Sequence, residues 1–344
     1  MKRVLTTIAM ASALISFLAA SCSEPKANNT DNNTFTAECN PLFRDAFTAD
    51  PAPLVWNDTL YLYAGHDEYY DGQDTAKGGK EFNITEWLCY STADMKTWRR
   101  HGAVLRPSAF QWADTVDYGV GVAWASQVVE RNGKFYYYTA VKAGGEYNGY
   151  AIGVAVGDKP TGPFKDAIGK PLVHDKMTPN GERGWWNDID PTVLIDGDDA
   201  WMCWGNGTCF IAKLDSSMTA IDGEISVIDV PRFIEGPWLH KHNGKYYLTY
   251  ASHGNMAEAI SYATADTISG TWTPQGQVTG EATNSFTIHP GIAEFKGKWY
   301  LFYHNATLSL DGKSGAIGRR SVCVDTMEYN EDGTIKPVTQ TKCK

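Results

Sequence analysis

The sequence predicts an all-β protein folded as a five-bladed β-propeller, with four antiparallel strands in each blade and a pocket at one end of the central channel. Three observations lead to this prediction: one pattern recurs five times along the chain, each copy contains a hairpin turn, and a second strand pair follows each copy. Four-stranded repeats of about 40–50 residues are typical of propeller blades. Between these repeats, no segment long enough to form a helix has hydrophobic residues at helical spacing.

The repeated unit is a short apolar strand, a two-residue turn and an aromatic strand. Its five copies are APLVWNDTLYLYAGH, SQVVERNGKFYYYTA, PTVLIDGDDAWMCWG, PWLHKHNGKYYLTYA and PGIAEFKGKWYLFYH. Asn-Gly and Asp-Gly pairs favour the primed hairpin turns, which need positive φ. Because the turns fall at positions 57, 132, 196, 243 and 296, the spacing fits blades with inserted loops. Two separate β-sandwiches are the alternative, but they do not account for five matching units in sequence.

The N-terminus predicts export. Residues 1–21 have a charged start and an apolar run ending in small residues, which is typical of a signal peptide. The end of this run, LAASC, resembles a bacterial lipoprotein signal, which implies lipidation of Cys22; ordinary cleavage near Ser21 is the alternative. We expect residues 22–39 to form a flexible tether and residues 40–344 to form the propeller. The expected location is the outer membrane, as an anchored lipoprotein facing the periplasm or the cell surface.

Charge and cysteine spacing exclude several classes of protein. The net charge is -10 and the sequence has no basic stripe, which argues against nucleic-acid binding. We expect a monomer that meets the membrane only through a lipid anchor. The six remaining cysteines match no zinc pattern. Cys203 and Cys209 flank a predicted turn, so a cross-strand bridge and two buried free thiols are both open.

Ionisable residues stand at one register in the repeats. Just ahead of the first strand, four of the five copies carry an acid or a histidine next to, or one residue from, a proline: Asp50-Pro51, Asp190-Pro191, Glu235-Gly236-Pro237 and His289-Pro290. The second copy has Trp124 there. A single Asp-Pro pair is a common turn starter, but four in register bring like charges together around one axis, which favours a functional site. We expect each proline to hold the preceding residue in an extended conformation.

These motifs carry a family resemblance. The ordered set ADPAP, DIDPTVLIDGDDAWMCWG, EGPWLHKHNGKYYLTY, HPGIAEFKGKWYLFYHN and GRRSVCVDTMEYNEDGTIKPV looks like glycoside hydrolase family 43, from about Asn40 to the C-terminus. The resemblance implies a five-bladed propeller of inverting glycosidases. It implies that Asp50 is the general base, Glu235 the general acid, and Asp190 the carboxylate that orients the acid and tunes its pKa. These three would form a catalytic pocket at one end of the channel.

The resemblance also implies binding roles for two residues around these carboxylates. His289 would lie near the channel and hold a metal ion through water, so calcium on the axis is a prediction although no cofactor is required. Arg320 would reach the substrate from the last blade. Exposed aromatic faces beside carboxylates suit sugar rings, and we expect Trp124, Trp204 and Trp238 to bind substrate; packing between blades is the alternative for each.

The expected function is that of an inverting glycoside hydrolase that releases a terminal pentose, foremost α-L-arabinofuranose, from plant polysaccharide or oligosaccharide. Asp50 and Glu235 come from blades one and four, which are not neighbours, and inversion needs a gap of about 6.5–9.5 Å between the two carboxyl groups. β-Xylosidase and galactosidase-type activities on the same site are alternatives. A non-catalytic glycan-binding lipoprotein is a further alternative, although binding alone does not require three carboxylates. A phosphorylase would need a basic phosphate pocket, which the channel register lacks.

Overall fold

The computed structural model describes residues 32–114 and 121–343, and the compact unit begins at Asn33. The predicted signal peptide and Cys22 lie outside the described residues. The described chain is built from strands and three short 3₁₀ helices, Gln73–Thr75, Pro107–Ala109 and Gly184–Trp186. None of the helices in this part of the chain is long and apolar enough to cross a membrane.

The first three blades follow the predicted repeats. Blade 1 has the edge strand β1 (Thr34–Thr36) and the strands β2 (Phe47–Trp56), β3 (Thr59–Asp67), β4 (Ile84–Thr92) and β5 (Thr97–Leu105). Blade 2 has β6 (Ala123–Arg131), β7 (Lys134–Lys142), β8 (Tyr150–Gly157) and β9 (Lys165–Asp166). Blade 3 has β10 (Thr192–Asp196), β11 (Asp199–Trp204), β12 (Cys209–Leu214) and β13 (Ile221–Ile228).

The last two blades differ in strand number. Blade 4 has β14 (Phe233–His242), β15 (Lys245–His253), β16 (Glu258–Ala265) and β17 (Thr273–Thr279). Blade 5 has β18 (Gly291–Phe295), β19 (Lys298–Asn305) and, after the small hairpin β20 (Ser309–Leu310) and β21 (Lys313–Ser314), the strand β22 (Ser321–Met327). Its sheet therefore has three strands instead of the predicted four, and beyond β22 a single bridge joins Tyr329 to Ile335.

The innermost strands close a ring. β2 contacts β6, β6 contacts β10, β10 contacts β14, β14 contacts β18, and β18 returns to β2. Each of these strands begins at the same mouth of the channel, as the sequence register predicts. The five-bladed propeller is thereby confirmed.

Residues ahead of β2 cover the free edge of blade 5. The backbone N–H of Leu42 donates to the carbonyl of Val322 at 2.8 Å, and the side chain of Asn40 pairs with both backbone groups of Val324. A disulfide joins Cys39 to Cys343, with their Cα atoms 5.2 Å apart. Because β1 pairs with β5 and Cys39 is bridged, the boundary between tether and propeller lies at or before Thr34 rather than at residue 40.

The predicted hairpin turns have the predicted backbone. Positive φ occurs at both turn residues of four blades, beginning at Asn57, Asn132, Asn243 and Lys296, whereas the third blade has it at Gly197. These are the values that primed turns require. The turns lie at the C-terminal ends of the inner strands, so the opposite mouth of the channel is free to carry the ionisable residues.

Candidate active site

Two of the catalytic candidates have an unusual backbone. Asp50 and Asp190 have φ of 53° and 56°, and Gly236, the corresponding residue before proline in blade 4, has 57°. The expected extended conformation is therefore wrong for both aspartates. In β2 the pairing with β3 shifts between Ala49 and Ala52, so Asp50 and its proline form a bulge. Positive φ costs a non-glycine residue about 1–3 kcal/mol and persists where the surroundings enforce it, often at functional sites.

Asp50 is held by one carboxylate oxygen. Its Oδ1 accepts a hydrogen bond from Arg320 Nη1 at 3.0 Å and lies 3.3 Å from His289 Nδ1. Its backbone N–H donates to Nδ1 of His304 at 3.2 Å. Burial, followed by the charges of Arg320 and His289, holds the pKa of His304 well below its usual value, so this ring is neutral and can accept. Within the described chain Oδ2 of Asp50 has no hydrogen-bond partner, and Asp50 lines a narrow pocket at the channel mouth.

Arg320 is clamped between two carboxylates. Besides Asp50 it binds Asp67 through Nε and Nη2, both at 2.9 Å, and its backbone N–H donates to the same carboxylate at 3.0 Å. Both side chains are almost completely buried. Burial opposes the charged form of Arg320, but Asp50 and Asp67 outweigh it and raise its pKa. Arg320 therefore presents a fixed positive charge to Asp50.

His289 lies at the centre of the three catalytic candidates. Its Nδ1 faces Asp50, while its Nε2 lies 3.2 Å from Oε1 of Glu235 and 3.5 Å from Oδ2 of Asp190. Burial by itself would lower the pKa of His289, but the carboxylates of Asp50, Asp190 and Glu235 raise it to about 10. The ring is then an imidazolium that donates to both sides and offsets much of the repulsion between the acids.

The width of the imidazole ring separates Asp50 from Glu235. The carboxylate of Asp50 lies 3.3 Å from Nδ1 of His289, and the carboxylate of Glu235 lies 3.2 Å from Nε2. The gap between the two carboxylates therefore spans the imidazole ring and both of these contacts. Such a separation matches the gap of roughly 6.5–9.5 Å of inverting glycosidases better than the roughly 5–5.5 Å of retaining ones.

Glu235 is positioned from two directions. Asn206, in the loop between β11 and β12, donates from Nδ2 to Oε2 of Glu235 at 2.6 Å. Asp190 accepts the backbone N–H of Gly236 at 3.0 Å and so fixes the chain beside the acid. Burial has the largest effect on Asp190 and raises its pKa. The charge of His289 opposes this shift, and the neighbouring carboxylates of Glu235 and Asp50 add to it. Asp190 is more buried than Glu235, since 3% of the Asp190 side chain and 15% of the Glu235 side chain are exposed.

Aromatic side chains wall the pocket. Trp124 stacks on Tyr150 with ring centroids 3.7 Å apart and meets Trp186 edge to face. Phe82 covers the guanidinium of Arg320 at 4.9 Å. Trp124, Trp186 and Phe82 all line the narrow pocket with the carboxylates. The structure thus brings together Asp50, Asp190, Glu235, His289, Arg320 and Trp124, as the sequence predicts.

Two predicted tryptophans are elsewhere. Trp204 is fully buried, stacks on Phe210 and donates from Nε1 to Asp188 at 3.1 Å. Trp238 is buried in the core and donates from Nε1 to the carbonyl of Ile292 at 3.1 Å. Neither lines the pocket, so their predicted substrate-binding role is corrected to packing between and within blades.

The predicted calcium ion depends on the donor atoms at the channel mouth. Asp190, Glu235 and His289 place potential ligand atoms within 4.8 Å of one another. Calcium takes six to eight oxygen ligands, whereas His289 offers only nitrogen atoms and both of them lie against carboxylates. The three residues therefore do not fit direct calcium coordination, and a calcium ion that His289 holds through water stays a prediction.

Several residues of the site were missed from the sequence. Asp67 and Glu258 stand at a strand end and a strand start, and Asn206 lies in a loop between strands. None of the three is in the register that identified the catalytic candidates. The last residues of each second strand, which return to the same mouth, are the signal that would have pointed to Asp67.

Cys203 and Cys209 are buried free thiols in the structure, with their sulfur atoms 3.3 Å apart. They lie on either side of the loop that carries Asn206. The bridge that the sequence left open is not formed.

The comparisons with known proteins agree with this geometry. The model of glycosyl hydrolases family 43 matches residues 40–335. An arabinoxylan arabinofuranohydrolase of Bacillus subtilis is 32% identical over 87% of this chain and 64% of its own length. A xylosidase/arabinosidase of Bacteroides ovatus is 31% identical over 84% of this chain and 94% of its own. The chain spans 64% and 51% of the lengths of two arabinofuranohydrolase relatives.

Solved structures show the same fold. A β-xylosidase/α-arabinofuranosidase from a compost metagenome, in a calcium-free complex with xylotriose, superposes with a TM-score of 0.74 at 27% identity over 89% of this chain and 98% of its own. An α-L-arabinofuranosidase from Clostridium thermocellum has a TM-score of 0.66 at 35% identity over 88% of this chain and 98% of its own. On the family model, the relatives and the fold, this chain belongs to glycosyl hydrolases family 43.

Proposed function

We propose that this protein is an inverting glycoside hydrolase that releases a terminal pentose, foremost α-L-arabinofuranose, from plant cell-wall polysaccharide or oligosaccharide. The observation that carries the proposal is the placement of Asp50 and Glu235 on opposite sides of His289. The names of the relatives, which include arabinofuranohydrolases and xylosidases, support the substrate class.

Asp50 acts as the base in the proposed reaction. Arg320 and His289 hold its Oδ1, so Oδ2 is free to take a proton from a water molecule in the pocket. As the water oxygen forms its bond to the anomeric carbon, its proton passes to Asp50.

Glu235 acts as the acid on the other side of the sugar. It gives its proton to the glycosidic oxygen while the bond from that oxygen to the anomeric carbon breaks, and the leaving sugar departs as an alcohol. Asn206 and the backbone bond of Asp190 to Gly236 hold the acid in place. Burial and the neighbouring carboxylates raise the pKa of Asp190 to about 8, although the charge of His289 opposes the shift.

A side-by-side substrate screen tests the function. Nitrophenyl α-L-arabinofuranoside, β-D-xyloside and β-D-galactoside are compared with arabinan and arabinoxylan, and E235Q serves as the inactive control. We expect the arabinofuranoside to have the highest kcat/KM. A higher value for the xyloside would favour the β-xylosidase alternative. Tight polysaccharide binding without hydrolysis of any substrate would contradict the proposal and favour the glycan-binding lipoprotein.

We also propose export with a lipid anchor at Cys22, so that the monomeric enzyme is held at the outer membrane. The support is the lipoprotein-like end of the apolar N-terminal run. Labelled palmitate should enter the full-length chain and not the variant C22S. Equal labelling of both would contradict the anchor.

A further inference from the structure

A wide cleft opens beside Glu235. The cleft encloses about 480 Å³. Four residues line both the cleft and the narrow pocket: Phe82, Trp186, Glu235 and Thr287. Asp50 lines the narrow pocket but not the cleft. Since the acid protonates the oxygen of the leaving group, that group must lie on the acid's side. The cleft is thus the space into which the rest of the substrate extends.

The rim of this cleft exposes large apolar side chains. Met256 is 85% exposed and Phe286 is 54% exposed, and both line the cleft. Trp185, on the loop before β10, is 43% exposed. Three of the five large exposed hydrophobic residues in the described chain are therefore on loops at the active-site mouth. Apolar surface gathered at one place marks a binding site, and sugar rings pack their C–H faces on such side chains.

A buried carboxyl group lines the same cleft. Glu258, the first residue of β16, is 2% exposed. Its backbone N–H donates to the carbonyl of Phe286 at 2.9 Å, and its Oε2 accepts the N–H of Ile288 at 3.1 Å. Its other oxygen, Oε1, has no hydrogen-bond partner within residues 32–114 and 121–343, while Glu258 lines the cleft. A nearly buried polar atom without a protein partner is available to a ligand.

The charge state of Glu258 is compatible with this role. Burial, and then the neighbouring carboxylate of Glu235, raises the pKa of Glu258. In its neutral form, with Oε2 accepting from Ile288, the carboxyl group can donate from Oε1 into the cleft without adding a charge beside the acid.

We propose that this cleft binds the leaving-group glycan, with Glu258 Oε1 hydrogen-bonded to a hydroxyl of the sugar next to the cleaved bond and Phe286 packed against a sugar face. The inference rests on the proposed function and assigns Glu258 and Phe286 as determinants of leaving-group specificity. A chain of sugars, rather than a small alcohol, is the substrate that uses both contacts.

The test compares two substrates with the same pentose. One is the pentosyl fluoride, whose leaving group is too small to enter the cleft, and the other is an arabinofuranosylated xylo-oligosaccharide. The measured quantity is the ratio of kcat/KM for the oligosaccharide to that for the fluoride. We expect E258A and F286A each to lower this ratio about five- to tenfold, the effect of one lost hydrogen bond or apolar contact. E258Q, which keeps a hydrogen-bonding side chain of the same length, should retain the ratio within about threefold.

Controls separate binding from folding. The exposed Glu328 pairs with Lys336 far from the cleft, so E328Q should leave the ratio unchanged. Thermal unfolding midpoints show whether E258A folds, and F286A alters an exposed side chain and so tests the cleft independently. Equal losses on both substrates, or an unchanged ratio in E258A and F286A, would overturn the inference. Wild-type protein that hydrolyses neither substrate would instead contradict the proposed function on which the inference rests.

Discussion

The buried pair of Asp67 and Arg320 gives a quantitative test of how the site is held. The substitution D67N removes a carboxylate that meets the guanidinium twice at 2.9 Å and the backbone N–H of Arg320 once at 3.0 Å. Removing one partner of a buried ion pair costs about 3–5 kcal/mol. Because Asp50 still faces Arg320, we expect the lower end, about 3 kcal/mol, as the loss in free energy of unfolding.

The assay is urea unfolding followed by tryptophan fluorescence, with kcat measured on the same preparations. The exposed pair of Lys134 and Asp158 supplies the matched control, and D158N should unfold as the wild type does. A double-mutant cycle of D67N with R320M should show a coupling of about 1–3 kcal/mol. We also expect kcat to fall in D67N, since Arg320 then no longer holds Asp50 at a fixed angle. A D67N protein as stable as the wild type would refute the reasoning.

Three further predictions follow from the site. D50N and E235Q should each lower kcat by about a thousandfold or more while the protein stays folded; near-normal turnover would remove that residue from the mechanism. The charged form of His289 stabilises the fold, so the wild type should have a larger free energy of unfolding than H289Q. The difference should be largest below pH about 6.5, the usual pKa of histidine, and should disappear as the pH rises through about 10. A difference that does not depend on pH would contradict this. EDTA tests the calcium ion predicted near His289: a loss of activity or melting temperature that added calcium reverses would support it, and no change in either would count against it.

The architecture could be predicted because its signals are local. A turn such as Asn243-Gly244 needs positive φ at adjacent residues, and only a few residue types adopt it readily. Four turns of this kind, and a fifth with positive φ at Gly197 alone, fix the five hairpins. Counting back from each turn to the start of the inner strand then placed Asp50, Asp190, Glu235 and His289 at one mouth without knowledge of any long-range contact.

The backbone conformation of the aspartates could not be predicted in this way. Proline restricts the residue before it, but the bulge in β2 and the contacts of the Asp50 carboxylate with Arg320 and His289 override that local preference. Arg320 lies 270 residues away along the chain. Contacts over this sequence distance cannot be inferred from the dipeptide Asp50-Pro51.

The errors over tryptophan have a related cause. Trp238 directly follows Pro237 in an inner strand, yet its side chain points into the core and not into the channel. Its Nε1 donates a hydrogen bond to the carbonyl of Ile292. Successive residues of a strand face opposite sides, and the bulge between Glu235 and Trp238 shifts that alternation. The sequence indicated aromatic residues near the site, but it did not show which face of the sheet each side chain is on.

The stereochemistry of the product tests the central claim most directly. Proton NMR of the first sugar released from an α-L-arabinofuranoside, recorded before mutarotation, distinguishes the two anomers. With Asp50 and Glu235 separated by the ring of His289, we predict that the β-anomer appears first, because water attacks the face opposite the leaving group. First appearance of the α-anomer would show a retaining reaction and contradict the assignment of Asp50 as a base that activates water.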